Sequence, residues 1–146
     1  MSKVISVVTT SSIGIWNIPM RGQNFINNHY ATINNYKISL VIQESLFFNN
    51  YNSVKSVISK NKDRNTIVIF CSSLQLINLD REEKNFIDFF KNYDLHFSLE
   101  LQKGKGSEYL KKVISESKKF VKRKNIKIEK LNSYKSLFSK YKNKII

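Results

Sequence analysis

The sequence predicts a three-layer α/β/α domain, built on a four-stranded parallel sheet of strand order 2-1-3-4 and followed by a basic helical extension. Four short strand-like runs, three of them containing β-branched residues and the fourth alternating, are separated by longer stretches whose apolar residues recur at helical spacing. Strands and helices that alternate in this way form parallel sheets with right-handed crossovers. The 146 residues, 41% of them hydrophobic, suffice for one domain with a buried core. We place that domain at residues 1–124 and the C-terminal extension at 125–146.

The first unit is a strand followed by a helix. Val4–Thr10 is rich in β-branched residues and has no helical period, which is typical of a buried strand. Pro19 suits the first turn of a helix, and we expect that helix over Met20–Asn34. Its apolar residues fall on one face: Phe25, Ile26, Tyr30 and Ile33.

The next unit places a strand at Tyr36–Ile42 and then a helix that Asn52 or Ser53 can cap. The inward-facing residues of this helix are Val54, Val57 and Ile58. Thr66–Cys71 is the most regular apolar run in the chain, and it predicts the third strand.

The remaining elements are two helices and a strand. Asp80 and Glu83 have the spacing of a capping box, which predicts the start of the third helix. Leu95–Leu101 alternates and predicts the fourth strand, Lys103–Gly106 predicts a turn, and Ser107 can cap a fourth helix. The apolar face of that helix contains Tyr109, Leu110, Val113, Ile114, Ser117, Phe120 and Val121.

The positive charge is concentrated near the C-terminus. The net charge is +14, and residues 101–146 hold fifteen Lys and Arg against three Asp and Glu. Only four basic residues are arginines, whose forked geometry favours specific base and phosphate recognition. The excess therefore indicates either a solvated basic face or a surface for an anionic partner such as a membrane, RNA or an acidic protein. A last amphipathic helix would carry Tyr134, Leu137, Phe138 and Tyr141.

Several classes of protein are excluded by what the sequence lacks. No apolar run approaches the roughly 20 residues that span a bilayer, and the N-terminus lacks the pattern of a signal peptide. We therefore expect a cytoplasmic protein. A single cysteine, Cys71, excludes an intrachain disulfide and a multi-cysteine metal site. Neither a Walker motif nor a G-x-G-x-x-G motif occurs, and no cofactor is expected.

Polar residues lie at the end of each predicted strand, at the edge of the sheet where parallel α/β folds bind their ligands. Those after the first three strands include Ser11 and Ser12, Glu44, and Ser72 and Gln75, and Glu100 lies near the end of the fourth. The candidates for catalysis are Glu44, Glu100 and Ser12, with a glutamate as the general base. The candidates for ligand binding at this edge are Ser11, Ser72 and Gln75. The alternative is that these residues only cap the strand ends.

The start of the first helix can also attract an anionic group, because its N–H groups are free. Arg21, Gln23 and Asn24 would hold that group, although ordinary capping explains them as well. His96, within the fourth strand, is either a structural histidine or a ligand-binding one. A metal site would depend on Glu44 and Glu100 alone, so none is expected.

Several of these segments occur together: Pro19–Tyr30, Glu44, Phe70–Leu76, Arg81, Leu95–Phe97 and Glu100. Together they resemble the sporadic carbohydrate cluster protein family, over about Thr9 to Glu100. Members are small bacterial proteins of unknown activity, found in gene clusters for lipopolysaccharide, capsule and other surface glycans. The resemblance implies a role in surface-carbohydrate biosynthesis, with a sugar, sugar phosphate or nucleotide sugar as the ligand.

The chain departs from that family at three places. Ser12 and Ile13 stand where members carry Arg-Pro, Ile77 stands where a proline follows the Gln-Leu pair, and Ser45 stands where an aromatic follows the glutamate. These departures bear on any chemistry that members share after the first strand. The layout is also similar to the catalytic domain of serine recombinases and to flavodoxin-like folds. This is a fold analogy only, because the arginine cluster of the recombinases is missing.

Three functions therefore stay open. The first is a protein that binds or modifies a sugar, with its site at the strand ends. The second is a non-catalytic partner or regulator of the same pathway, which docks through the basic extension. The third is weak nucleic-acid binding through the lysines of that extension, with a steep salt dependence. A homo-oligomer is compatible with each of them.

Overall fold

The computed structural model describes residues 3–10, 18–44, 50–61 and 65–122. The strands in these ranges are β1 (Lys3–Thr9), β2 (Leu40–Glu44), β3 (Thr66–Phe70), β4 (Asp94–Phe97) and β5 (Gln102–Gly104). The helices are α1 (Met20–Ile33), α2 (Asn52–Asn61), α3 (Glu83–Phe90) and α4 (Ser107–Lys122). Two short 3₁₀ turns, Ser73–Leu76 and Asp80–Glu82, connect β3 to α3.

The strands form one sheet of order β2-β1-β3-β4-β5. The first four are parallel, with Val7 of β1 paired to Ile42 of β2 on one side and to Phe70 of β3 on the other. The predicted parallel sheet and the order of its four strands are therefore confirmed. The four-strand count is corrected, because β5 pairs antiparallel with β4 and extends the edge of the sheet.

The boundary of β4 differs from its prediction for a physical reason. The strand ends at Phe97, although the alternation of the sequence continues to Leu101. The N–H groups of Ser98 and Leu99 still donate to carbonyls at the end of β3, over 2.9 Å each. The chain then reverses through Leu101, whose φ is 56°. It returns as β5, where the sequence predicted only a turn over Lys103–Gly106.

Strand β2 also begins later than the sequence predicted. Tyr36 belongs to the end of α1, because its N–H donates to the carbonyl of Ala31 over 2.8 Å. Asn35 has a φ of 60° and turns the chain away from the helix. The regular pairing with β1 therefore starts at Leu40.

The helices cover both faces of the sheet, which gives the predicted three layers. Alternate strand residues on one face pack against α2, α3 and α4: Ile5, Val7, Val68, Phe70, Leu95 and Phe97. On the opposite face, Val4, Ile67 and Ile69 pack against Tyr30 and Ala31 of α1. Aromatic rings fill much of the first face, including Phe70 stacked on Phe97 at a centroid distance of 5.8 Å.

The contact between α1 and the sheet is partly polar. Asn27 is fully buried, and its side-chain amide donates to Ser6 Oγ of β1 over 2.9 Å. Its carbonyl oxygen accepts from Ser98 Oγ over 2.7 Å. Ile33, which the sequence placed on the buried face, is 58% exposed. The buried face of α1 therefore includes the polar residue Asn27, and a search for regularly spaced apolar residues does not find it.

The capping box predicted at Asp80 and Glu83 is wrong. Asp80 has a φ of 47°, and α3 begins at Glu83 without a side-chain cap. A capping box does occur earlier, between Ser72 and Gln75. There the Ser72 hydroxyl accepts from the N–H of Leu74 over 3.1 Å, and Gln75 Oε1 accepts from the N–H of Ser72 over 3.0 Å.

No helix in the described ranges is long and apolar enough to cross a membrane. The extension at 125–146 and its stripe of aromatic and apolar residues lie outside the described residues. The predictions that depend on them, including contact with an anionic partner, stay predictions.

Candidate functional site

The carboxyl ends of β1, β2, β3 and β4 meet at one edge of the sheet, because these strands are parallel. The structure thus places Thr9, Glu44, Ser72 and Glu100 along this edge. It does not gather them into one pocket. Strands β1 and β3 lie between β2 and β4, which separates those two strands by about 14 Å. Glu44 and Glu100 therefore do not form a carboxylate pair.

A cleft opens between the segment after β3, the turn after β4 and the inward face of α4. We call it the Glu100 cleft, and its volume is about 130 Å³. Its lining residues are Ser72, Ser73, Leu74, Leu99, Glu100, Gln102, Val113, Glu116, Ser117 and Phe120. Hydroxyl and carboxyl groups face apolar side chains across it, which is the composition of a site for a small polar ligand.

One oxygen of the Glu100 carboxyl group is held by three donors. Oε1 accepts from Ser72 Oγ over 2.6 Å, from Ser73 Oγ over 2.8 Å and from the Ser73 N–H over 2.8 Å. Ser117 Oγ donates in turn to Ser73 Oγ over 3.1 Å. The protons of these hydroxyls therefore point toward Oε1, and the capping box fixes the first serine in place.

The other oxygen of Glu100 has no such support. Oε2 is buried and has no hydrogen-bond partner, a condition that only the Tyr109 hydroxyl shares among the described side chains. Burial raises the pKa of the Glu100 carboxyl, and the hydrogen bonds from Ser72 and Ser73 offset this only in part. An acceptor buried without a partner costs stability, so it is a strong candidate for contact with a ligand.

Glu44 has a structural task instead. Its Oε1 accepts the N–H of Val54 over 2.7 Å, so the carboxyl group lies at the N-terminus of α2. Glu44 is only 6% exposed. Burial raises its pKa, while the N–H groups of Val54 and Ser53 and the charge of Lys55 act in the opposite direction.

Gln23 and Gln75 are bound to the protein itself. Gln23 is fully buried, and its amide bridges the N–H of Thr9 over 2.8 Å, the carbonyl of Thr9 over 3.0 Å and the carbonyl of Ile18 over 2.9 Å. Gln75 donates to Thr9 Oγ1 over 3.1 Å. These two predicted ligand-binding residues hold the end of β1 in the described structure.

The other residues at the start of α1 are more accessible. Arg21 is exposed and Asn24 is half-buried. Neither lines the Glu100 cleft. The predicted residues Ser11 and Ser12 lie outside the described residues, so the predictions made for them stay untested.

His96 belongs to the packing between α1 and the sheet. It is 3% exposed, and its Nδ1 lies 2.8 Å from the Tyr30 hydroxyl. Burial lowers the pKa of His96; the charge of Lys103 lowers it further, and that of Asp94 opposes the shift. Burial also keeps the Tyr30 phenol protonated by raising its pKa. A hydrogen bond therefore joins a protonated phenol to a neutral imidazole.

Of the predicted site residues, the structure brings Ser72 and Glu100 into direct contact. The sequence analysis did not choose Ser73, Gln102, Glu116 or Ser117 as site residues. Ser117 carried a usable signal, because a hydroxyl occupies a position on an otherwise apolar helical face. It is 5% exposed and close to the serine pair after β3.

Comparison with known proteins finds no family model that matches the chain. No curated protein and no solved structure is significantly similar to it either. The choice of function therefore rests on the chemistry of the cleft and on the sequence resemblance described above.

Proposed function

We propose that this protein acts in bacterial surface-carbohydrate biosynthesis and that it binds a sugar in the Glu100 cleft. The observation that carries the proposal is the buried oxygen Oε2 of Glu100, which has no partner in a residue that lines a cleft. The segments that resemble the carbohydrate-cluster family also contribute Ser72 and Glu100 to this cleft. Sequence and geometry thus support the same place for the ligand.

The chemistry of the cleft suits a sugar. Sugar hydroxyls donate hydrogen bonds, and an ionised carboxylate is an acceptor with several lone pairs. The hydroxyl oxygens of Ser73 and Ser117 keep lone pairs that can accept from a sugar, since their protons are donated to Glu100 and to Ser73. Leu99 and Phe120 provide apolar surface for the C–H groups of a sugar ring.

The size of the cleft limits what it can enclose. Its volume of about 130 Å³ is close to that of a cavity that holds one benzene molecule. One edge of a single sugar fills this space, and the nucleotide part of a nucleotide sugar would remain outside. A modification reaction at this site would use Glu100 as its general base, since Glu44 is occupied by α2.

The test is two-dimensional NMR of the full chain with neutral monosaccharides, sugar phosphates and nucleotide sugars. We expect shift changes concentrated at Ser73, Glu100 and Ser117. Glu100→Gln should weaken binding about tenfold, because it removes a charged acceptor. The matched control is Asp88→Asn, which neutralises an exposed carboxylate on α3.

The Glu100→Gln variant should stay folded, so weaker binding by this variant reports on the cleft and not on unfolding. The folded-state pKa of Glu100 is raised, so its stabilising contribution is present at low pH and is lost as pH rises through that pKa. Because glutamine does not ionise, the Glu100→Gln variant does not lose stability in this way. The free energy of unfolding of this variant at neutral pH should equal or exceed that of the wild type. If no sugar changes the spectrum, or if Glu100→Gln binds as the wild type does, the proposal is wrong.

A further inference from the structure

The Glu100 cleft is acidic in a strongly basic chain. Of its described lining residues, Glu100 and Glu116 carry carboxyl groups and none carries a positive charge. Glu100 has a buried carboxyl oxygen and Glu116 is exposed, which places one at the floor and the other at the mouth. Lys118, which follows closely on α4, is bound to Glu83 of α3 over 2.7 Å. The local charge is therefore opposite to the net charge of +14.

This charge pattern discriminates between ligands. A phosphate or carboxylate in the cleft would lie beside Glu100 and Glu116 in a partly desolvated space, where like charges repel strongly. A neutral hydroxyl is acceptable there. A protonated amine fits best, because it has three donors, no acceptor and a charge opposite to that of the carboxylate.

The geometry around Glu100 favours the same group. Ser72 and Ser73 occupy Oε1 with three hydrogen bonds, so Oε2 is the oxygen without a partner. Because Oε2 is buried from solvent, an ammonium group reaches it only after the Glu100 side chain turns this oxygen into the cleft. An N–H donor from an ammonium group would form a charge-assisted hydrogen bond there. Among the described residues, no group of three or more His, Cys, Asp or Glu side chains could hold a metal ion. An organic cation therefore suits this donor set better than a metal.

We infer that the Glu100 cleft binds the protonated amino group of an amino sugar, with Glu100 as its buried acceptor and Glu116 as the second carboxylate at the mouth. The sugar part of this inference rests on the proposed function. The amine part rests on the charges and contacts of the cleft. A simple amine would share the same chemistry, so the experiment must separate the two sources.

The experiment titrates the full chain at neutral pH with matched probes, monitored by calorimetry and by NMR. The probes are glucosamine, glucose, N-acetylglucosamine, glucose 6-phosphate and methylammonium. We expect glucosamine to bind at least about tenfold more tightly than glucose or its N-acetyl derivative, the gain of one charge-assisted hydrogen bond. Glucose 6-phosphate should bind most weakly of the sugars.

Variants test which residues cause the preference for glucosamine. Glu100→Gln should remove most of the preference for glucosamine over glucose. Glu116→Gln should reduce it by a smaller factor, because an exposed carboxylate is screened by water. Asp88→Asn should leave it unchanged. The folding of each variant is checked by circular dichroism.

The outcomes separate the two ideas. If glucose, N-acetylglucosamine and glucosamine bind the cleft equally, the proposed function stands and the amine inference is wrong. If methylammonium binds as tightly as glucosamine and glucose not at all, the amine site stands and the sugar proposal is wrong. Tighter binding of glucose 6-phosphate than of glucosamine, or a preference that Glu100→Gln does not reduce, would also overturn the inference. No binding of any probe would overturn both.

Discussion

Replacement of Gln23 by methionine measures how much one buried amide contributes to the fold. The side chain bonds to three backbone groups: the N–H of Thr9, the carbonyl of Thr9 and the carbonyl of Ile18, at 2.8, 3.0 and 2.9 Å. Methionine has a similar shape and can offer none of these bonds. Since the site is fully buried, water does not readily replace them.

The expected cost follows from these three contacts. A buried polar group that loses its partner costs about 1–3 kcal/mol, so three groups cost about 3 kcal/mol at the lower end of that range. This is a large part of the roughly 5–15 kcal/mol that stabilises a typical domain. For a chain of this length it corresponds to a decrease in melting temperature of about 10 °C.

The assay is urea unfolding followed by far-UV circular dichroism, with the free energy of unfolding obtained by linear extrapolation. Asn24→Ala is the control on the same helix, because its side chain is half-buried and accepts only a 3.2 Å bond from Asn28. We expect it to cost less than about 0.5 kcal/mol. A loss below about 1 kcal/mol for Gln23→Met would refute the reasoning, and it would reopen the role of Gln23 in ligand binding.

Three further predictions concern Glu44 at the N-terminus of α2, Gly104 in the edge strand β5, and His96. Glu44→Ala should cost about 1–2 kcal/mol in urea unfolding, because the N–H of Val54 loses its acceptor at the helix N-terminus; a cost near zero would contradict the capping role. Gly104→Ala should cost about 1–3 kcal/mol, since a Cβ at this position would lie 2.6 Å from the Tyr109 ring. In a double-mutant cycle with Tyr109→Ala most of that cost should disappear, and simple additivity would count against the clash. Burial holds the folded-state pKa of His96 below the ordinary histidine value of about 6.5, so its contribution to stability is complete above that pH and is lost as pH falls through the folded pKa. Melting curves between neutral and mildly acidic pH should show this loss in the wild type, and His96→Gln should show less of it.

The sequence predicted the sheet because the signal for a buried parallel strand is local. The runs at β1 and β3 are rich in β-branched residues, and both are buried as predicted. The end of β4 could not be read in the same way. Its alternation runs through a turn, and that turn is fixed by contacts of Glu100 with Ser72 and Ser73, which follow β3 and lie 28 and 27 residues away.

The candidate site was predicted only in part, because the sequence shows local signals and not the contacts between distant residues. A polar residue after a strand is easy to find, so Ser72 and Glu100 were both chosen. Whether such a residue is free for a ligand depends on what packs beside it. Glu44 meets the start of α2, and Gln23 meets the backbone of β1. The sequence shows neither contact, since both need the tertiary arrangement.

The polar bridge beneath α1 has a mechanical consequence. Aliphatic contacts have no direction and tolerate small shifts, whereas a hydrogen bond weakens steeply as its distance and angle change. Asn27 instead reaches Ser6 on β1 and Ser98 beyond β4, on either side of β3. Displacement of α1 by a single turn would leave Asn27, Ser6 and Ser98 buried without these hydrogen-bond partners. The three side chains therefore fix the position of α1 on the sheet.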